Sequence, residues 1–149
     1  MKKPIKVLNI MTDFKKGGVQ AEVMNPARIL SKEDVLFDVM LLSDLKGFYE
    51  EEFEQYGNIY RTPLKRKKTK IQRALSIFTN YFYVKKKMLE FFRTHSDYDA
   101  VHVRHLTLNA PCISAAKKAG IPVRIAHCAV NRPHGAFKDR AYITWYLKC

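Results

Sequence analysis

The sequence lacks both a long apolar run and a cysteine framework. No stretch of 18 or more residues is continuously apolar, so no membrane-spanning helix is predicted. The N-terminal MKKPIKVLNIM is basic and then apolar, but Lys6 and Asn9 interrupt it and no small-residue cleavage site follows; we interpret it as a strand, not a signal peptide. Cys112, Cys128 and Cys149 are odd in number, far apart and without a CxxC pair. This pattern argues against a disulfide scaffold or zinc knuckle and predicts reduced thiols in the cytoplasm.

Acidic side chains are nearly missing from the middle of the chain. The 149 residues include 27 Lys and Arg against 14 Asp and Glu, a net charge of +13, and 47% are hydrophobic, which fits one globular domain with a core. Residues 61–95 hold 11 of the basic side chains and a single acid, Glu90. The positive charge is therefore a regional feature that any function has to account for.

Strand-like and helix-like segments alternate along the chain. Short apolar runs of strand length are separated by segments whose apolar residues recur at helical spacing. This order predicts an α/β fold, a Rossmann-like parallel sheet with helices on both faces. Ligands of such sheets bind beyond the carboxyl ends of the strands, where the strand order reverses. The predicted strands are 5–11, 35–42, 58–60, 100–103 and 121–126; the predicted helices are 19–30, 48–56, 71–93 and 106–119, with helical character again in 132–149.

A glycine pair, Gly17 and Gly18, lies between the first predicted strand and the first predicted helix. The first amide groups of a helix have no intrahelical acceptor, and glycine lets a ligand approach the backbone, so the loop is a candidate anion site. It is neither the three-glycine dinucleotide fingerprint nor a P-loop. A tight turn without a ligand is an equal alternative on local grounds. Gln20 can instead support the helix start by bonding to the backbone.

Four phrases in order resemble family 4 glycosyltransferases: KVLNIMTDFKKGGVQAEVMN, EDVLFDVMLL, DYDAVHVRH and AAKKAGIPVRIAHC. The resemblance implies the GT-B fold, in which two Rossmann-like domains enclose the active site. Residues 1–149 would be the N-terminal, acceptor-side domain, with the C-terminal nucleotide-sugar domain and its Glu-x7-Glu motif absent. The implied reaction is retaining transfer from a UDP- or GDP-sugar to a glycan or lipid-linked acceptor in polysaccharide or glycolipid synthesis. No bound metal is expected, and the domain alone is expected to be nearly inactive.

The resemblance also implies which residues form the site. Gly17 and Gly18 match the loop that approaches the donor phosphates. His127 matches the first His of the family's Ala-His-Ser-His segment and is the candidate catalytic residue, as a donor to a sugar hydroxyl or to developing charge. Arg104, His105 and Asn131 are candidate acceptor-binding residues, an arginine being suited to phosphate. The family's second His of that segment is Ala129 here, and its usual Asn is shifted to Asn131. His102 is interpreted as a satisfied core histidine.

The basic segment 61–95 has three interpretations. The first is a solvated face of a core helix, the second is a surface that docks on anionic membrane, and the third is a surface that binds nucleic acid. The resemblance favours a protein held peripherally at the cytoplasmic face of a membrane, whereas no helix-turn-helix, RRM or zinc signature supports nucleic acid. A stand-alone basic Rossmann-like binding module is the alternative to a transferase domain. The candidate membrane contacts are Lys65, Arg66, Lys67, Lys68 and Lys70.

Overall fold

A computed structural model describes residues 3–64, 70–105 and 108–127, with side chains omitted for 70–78. Five parallel strands form one sheet in the order β3-β2-β1-β4-β5. The predicted Rossmann-like α/β fold is confirmed. No helix in the described ranges is long and apolar enough to cross a membrane. The elements are β1 (Ile5–Met11), α1 (Gly18–Ile29), β2 (Val35–Leu41), α2 (Glu50–Phe53), β3 (Ile59–Arg61), α3 (Lys70–Thr94), β4 (Ala100–Val103), α4 (Asn109–Lys118) and β5 (Val123–Ala126).

The predicted order of elements is confirmed through β5, and the helical character predicted in 132–149 lies outside the described residues. The helix α2 is shorter than the predicted 48–56. Glu50 is the first residue of α2, and its carboxylate turns inward. That carboxylate accepts a hydrogen bond from the Gly47 amide at 2.5 Å and pairs with Arg61, the last residue of β3. The sequence predicts only a short acidic helix for this segment. One of its acids instead ties the loop after β2 to the neighbouring strand.

Apolar side chains pack on both faces of the sheet, as the near-continuous apolar runs of the strands predict. On one face α1 and α2 cover β1 and β2, with Phe14, Met24 and Phe53 fully buried. On the other face α3 and α4 cover a larger cluster that includes Met88 and Cys112. Burial raises the pKa of the Cys112 thiol to about 12.

A buried carboxylate joins three elements at the amino end of the sheet. Asp38 on β2 is 3% exposed. One of its oxygens accepts from the Asn58 amide at 2.8 Å and from the Asn58 side chain at 3.0 Å, and the other accepts from the Tyr98 hydroxyl at 2.6 Å. Burial and the adjacent Asp38 charge raise the pKa of Tyr98. This network fixes β2 relative to the segment before β4.

The order in which successive strands are added to the sheet reverses between β1 and β4. The connection through α1 places β2 on one side of β1, whereas α3 carries the chain back to place β4 on the other side. In open parallel sheets a crevice for ligands forms at this point, beyond the carboxyl ends of the two strands. The amide of Arg104 bonds to the Ile10 carbonyl at 2.8 Å, and that of His127 bonds to Val103 at 2.8 Å. Both residues therefore lie at that edge.

Candidate functional site

The glycine loop presents the uncapped N-terminus of α1. Gly17 is the N-cap residue with an extended φ of 179°, and no side chain caps the helix. A Cβ added at Gly18 would meet no atom within 4 Å, so open space lies in front of the first turn. The first turn contains no acidic residue. Free amide donors, open space and partial positive charge together suit an anionic oxygen.

Three side chains near this loop are engaged with one another or with neighbours. The Gln20 side chain donates to the Asp13 carbonyl at 3.2 Å, so it closes the loop and does not cap the helix. Lys15 pairs with the Asp13 carboxylate at 3.3 Å, and Lys16 lies over the Phe48 ring at 4.2 Å. The loop is thus held from both sides: open space remains beside Gly18, whereas the Gln20 side-chain oxygen lies close to Gly17.

Arg104 forms the centre of a polar cluster beside the same helix. Its guanidinium pairs with Glu22, which lies one turn into α1 from Gly18. The same guanidinium nitrogen is 3.3 Å from His127 Nδ1, and the other terminal nitrogen is 3.2 Å from His102 Nδ1. The ends of β4 and β5 and the start of α1 therefore meet at one point. The structure brings together the predicted residues Arg104 and His127 and adds two others.

Two members of the cluster, His102 and Arg104, have shifted pKa values. Burial, followed by the charge of Arg104 and then His127, lowers the pKa of His102 to about 4. Burial also lowers the pKa of Arg104, although the Glu22 carboxylate opposes this. The His102 and His127 rings stack with centroids 5.6 Å apart. Nδ1 of His102 faces Arg104, and its Nε2 is buried without a partner among the described residues. The interpretation of His102 as a satisfied core histidine stays a prediction.

His105 lies in the turn after β4 and is less involved in this cluster. Burial lowers the pKa of its ring. The turn is held by Asn109, which is 1% exposed and, in the amide orientation that satisfies the group, donates to the carbonyls of His105 at 2.9 Å and Val103 at 3.1 Å. Asn109 therefore shapes the segment that carries Arg104.

Several predicted site residues lie outside the described residues. Asn131 is one of them. Four of the candidate membrane contacts, Lys65, Arg66, Lys67 and Lys68, are the others, and Lys70 is described only as the first backbone position of α3. Within the described ranges, no three His, Cys, Asp or Glu side chains are grouped as metal ligands.

The sequence analysis did not identify Glu22 as a site residue, although a proline four residues later could have drawn attention to this part of α1. Pro26 follows four residues later inside α1 and has no amide hydrogen. The Glu22 carbonyl therefore cannot receive the usual helical bond, and the helix is weakened where Glu22 faces the sheet edge. A proline inside an otherwise helical pattern marks a place where a local rule is broken, which often accompanies a functional site.

No family model and no curated protein sequence matches this chain. Solved structures match its fold. The C-terminal domain of a hydrogenase from Pyrococcus furiosus has a TM-score of 0.58 and 16% identity, over 86% of this chain and 94% of that one. HepE from Anabaena, in complex with UDP and glucose, has a TM-score of 0.57 and 14% identity, over 94% of this chain and 35% of that one. MurG from Acinetobacter baumannii has a TM-score of 0.52 and 18% identity, over 95% of this chain and 39% of that one.

This chain shares its Rossmann-like α/β fold with part of HepE and part of MurG. The chain spans little more than a third of the length of either protein. Identities this low establish the fold only, and the hydrogenase domain shares that fold. A fold hosts many activities, so the function has to be argued from the residues at the sheet edge.

Proposed function

We propose that this chain is the N-terminal, acceptor-side domain of a retaining GT-B glycosyltransferase of the family 4 type. Its substrates would be a UDP- or GDP-sugar and a glycan or lipid-linked acceptor. The observation that carries the proposal is the meeting of the open Gly17–Gly18 helix start with Arg104 and His127 at the strand-order reversal. That fold position takes ligands, and an uncapped helix start takes phosphate.

The chemistry of each residue indicates which part of a substrate it would bind. The amides of the first turn of α1 would bind a donor phosphate oxygen, since Gly18 leaves space for it. His127, with 34% of its side chain exposed, would bond to a sugar hydroxyl or phosphate oxygen. An acceptor phosphate that reached Arg104 would have to displace the Glu22 carboxylate, because this carboxylate already neutralises the guanidinium.

Binding of UDP tests the proposal directly. In a ¹⁵N-labelled chain titrated with UDP, we expect weak binding that shifts the amide signals of Gly17, Gly18 and His127. Gly18→Val places a branched side chain in the open space and is expected to weaken binding about tenfold, the loss of one hydrogen bond to a charged group. Asn25→Val puts the same side chain on the exposed face of α1 and should leave binding unchanged.

Uridine without phosphate is the matched ligand control. Since the proposed contact is to phosphate, uridine should leave the glycine signals in place. Equal shifts with UDP and uridine, or UDP shifts confined to residues away from the loop, would rule out this use of the helix start.

A second property is favoured by α3. We propose that its outer face binds anionic membrane, which would hold the protein peripherally at the cytoplasmic leaflet. Phe82 is 65% exposed there and borders a groove with Lys85, Lys86, Leu89, Glu90 and Arg93. Glu90 already pairs with Lys87 at 2.7 Å. An exposed aromatic ring among lysines combines the apolar and electrostatic contacts that a lipid surface offers.

Vesicle sedimentation measures this second property. Vesicles with anionic lipid should bind the chain more tightly than neutral ones, with the difference falling as salt rises. Lys85→Ala with Lys86→Ala is expected to lower the partition constant about 30-fold, because each lysine near the surface contributes about 1 kcal/mol. Lys32→Ala with Lys46→Ala removes the same charge away from α3 and is the control. Equal losses in both double variants, or tight DNA binding without lipid binding, would contradict membrane docking.

A further inference from the structure

The contacts of Arg104 determine which hydrogen-bonding atoms the two histidines can offer. A guanidinium carries only N–H donors and keeps its charge in proteins. Its terminal nitrogens face His127 Nδ1 at 3.3 Å and His102 Nδ1 at 3.2 Å. Two donors cannot bond to each other, so each Nδ1 has to present its lone pair. The proton of each neutral ring then lies on Nε2.

Arg104 is held firmly enough to impose this arrangement. Its side chain is 9% exposed, and it pairs with Glu22 across the gap between β4 and α1. The Glu22 carboxylate is also 3.7 Å from His127 Nδ1 and would attract a proton there. The guanidinium lies closer to that nitrogen and opposes such a proton by its charge and its donors. Glu22 thus orients Arg104, and Arg104 orients the ring.

We propose that Arg104, oriented by Glu22, is a positioning residue that fixes His127 as an Nε2–H donor. With Nδ1 occupied by Arg104, the Nε2–H is the group that His127 offers to a ligand. The ligand atom that meets it has to be a hydrogen-bond acceptor, such as a hydroxyl or phosphate oxygen. In this state His127 cannot remove a proton through Nε2. The nature of that ligand rests on the proposed function, whereas the tautomer does not.

His95 supplies an opposite case in the same molecule. Its Nδ1 lies 3.1 Å from the Phe91 carbonyl oxygen, which can only accept. The Thr94 hydroxyl lies 2.9 Å from the same nitrogen, but it donates to the Phe91 carbonyl at 3.0 Å, so its oxygen is left to accept. We therefore expect Nδ1 of His95 to carry the proton. The two rings are expected to be opposite tautomers in one spectrum, and His95 lies at the end of α3, away from the Arg104 cluster.

Long-range ¹H–¹⁵N correlation spectra of the full chain, recorded at neutral pH without ligand, test the proposal. We expect His127 as the Nε2–H form and His95 as the Nδ1–H form. Arg104→Met removes the donors and is expected to raise the Nδ1–H share of His127 about tenfold, with His95 unchanged. Glu22→Gln keeps the size of the side chain but loosens Arg104, and should raise that share by a smaller factor.

Two results would overturn the role of Arg104. One is an Nδ1–H form of His127 in the unmodified chain. The other is a tautomer ratio that stays the same in both Arg104→Met and Glu22→Gln while the amide spectrum shows a folded protein. Because no ligand is present, neither result depends on UDP binding, so failure of the proposed function and failure of this inference are distinguishable.

Discussion

Replacement of Gly57 by alanine is expected to lower the free energy of unfolding by more than about 3 kcal/mol, at the upper end of what overpacking costs. A Cβ at this position would lie far inside contact distance of the Phe37 carbonyl oxygen and 2.8 Å from its carbon. Both atoms belong to the backbone of β2, which is bonded to β1 and β3 and cannot move aside alone. Urea denaturation followed by circular dichroism measures the change.

Gly18→Ala is the matched control for this substitution. Open space surrounds Gly18, and alanine is favoured over glycine inside a helix. We expect its unfolding midpoint to stay the same or rise slightly. A Gly57→Ala midpoint equal to that of Gly18→Ala would show that β2 and the α2–β3 turn do not approach as closely as described.

Replacement of Asp38 by alanine is expected to cost about 3–5 kcal/mol, the range found when one member of a buried charged network is removed. The Tyr98 hydroxyl and the Asn58 amide would lose their acceptor inside the protein. Lys6, whose ammonium lies 3.9 Å from Asp38, would lose a compensating charge. The measurement is again the urea midpoint, with Asp38→Asn retaining part of the hydrogen bonding and an intermediate stability.

Asp97→Ala is the control because it removes a carboxylate from the same lysine. Asp97 is 3.0 Å from Lys6, but 55% of its side chain is exposed. The Lys6 hydrogen bond lowers the pKa of Asp97. Water screens exposed ion pairs, so the expected loss is below about 1 kcal/mol. If Asp38→Ala and Asp97→Ala lowered the free energy of unfolding by similar amounts, burial would not determine how much the Asp38 network contributes to stability.

The fold was largely predictable because its signals are local. Apolar runs of strand length and helical periodicity each depend on neighbouring residues, and β4 was predicted with the bounds 100–103 that the structure has. The observed strand order, β3-β2-β1-β4-β5, agrees with that of a doubly wound parallel sheet. In the sequence, Gly57 is only the residue that follows the predicted helix 48–56. Its contact with Phe37 depends on how two strands pair, which a single sequence does not show.

The site was predictable only in part. Gly17, Gly18, Arg104 and His127 follow predicted strands, so their place at the carboxyl edge could be inferred. The partner of Arg104 could not, because Glu22 is 82 positions away and its approach depends on how α1 packs on the sheet. The tautomer of His127 depends on the same packing. Neither has a signature in residue spacing.

Pro26 interrupts the backbone hydrogen bonds of α1. Beyond it, Ala27 packs in the core, and Leu30 continues the bonding pattern to the Pro26 carbonyl at 2.9 Å. Before it, the turns that carry Gly18 and Glu22 lack one bond of the ladder, which makes bending at this point less costly. Because Val23 and Met24 before Pro26 are buried like Ala27 beyond it, side-chain packing holds both parts of α1 against the sheet where the backbone ladder is interrupted.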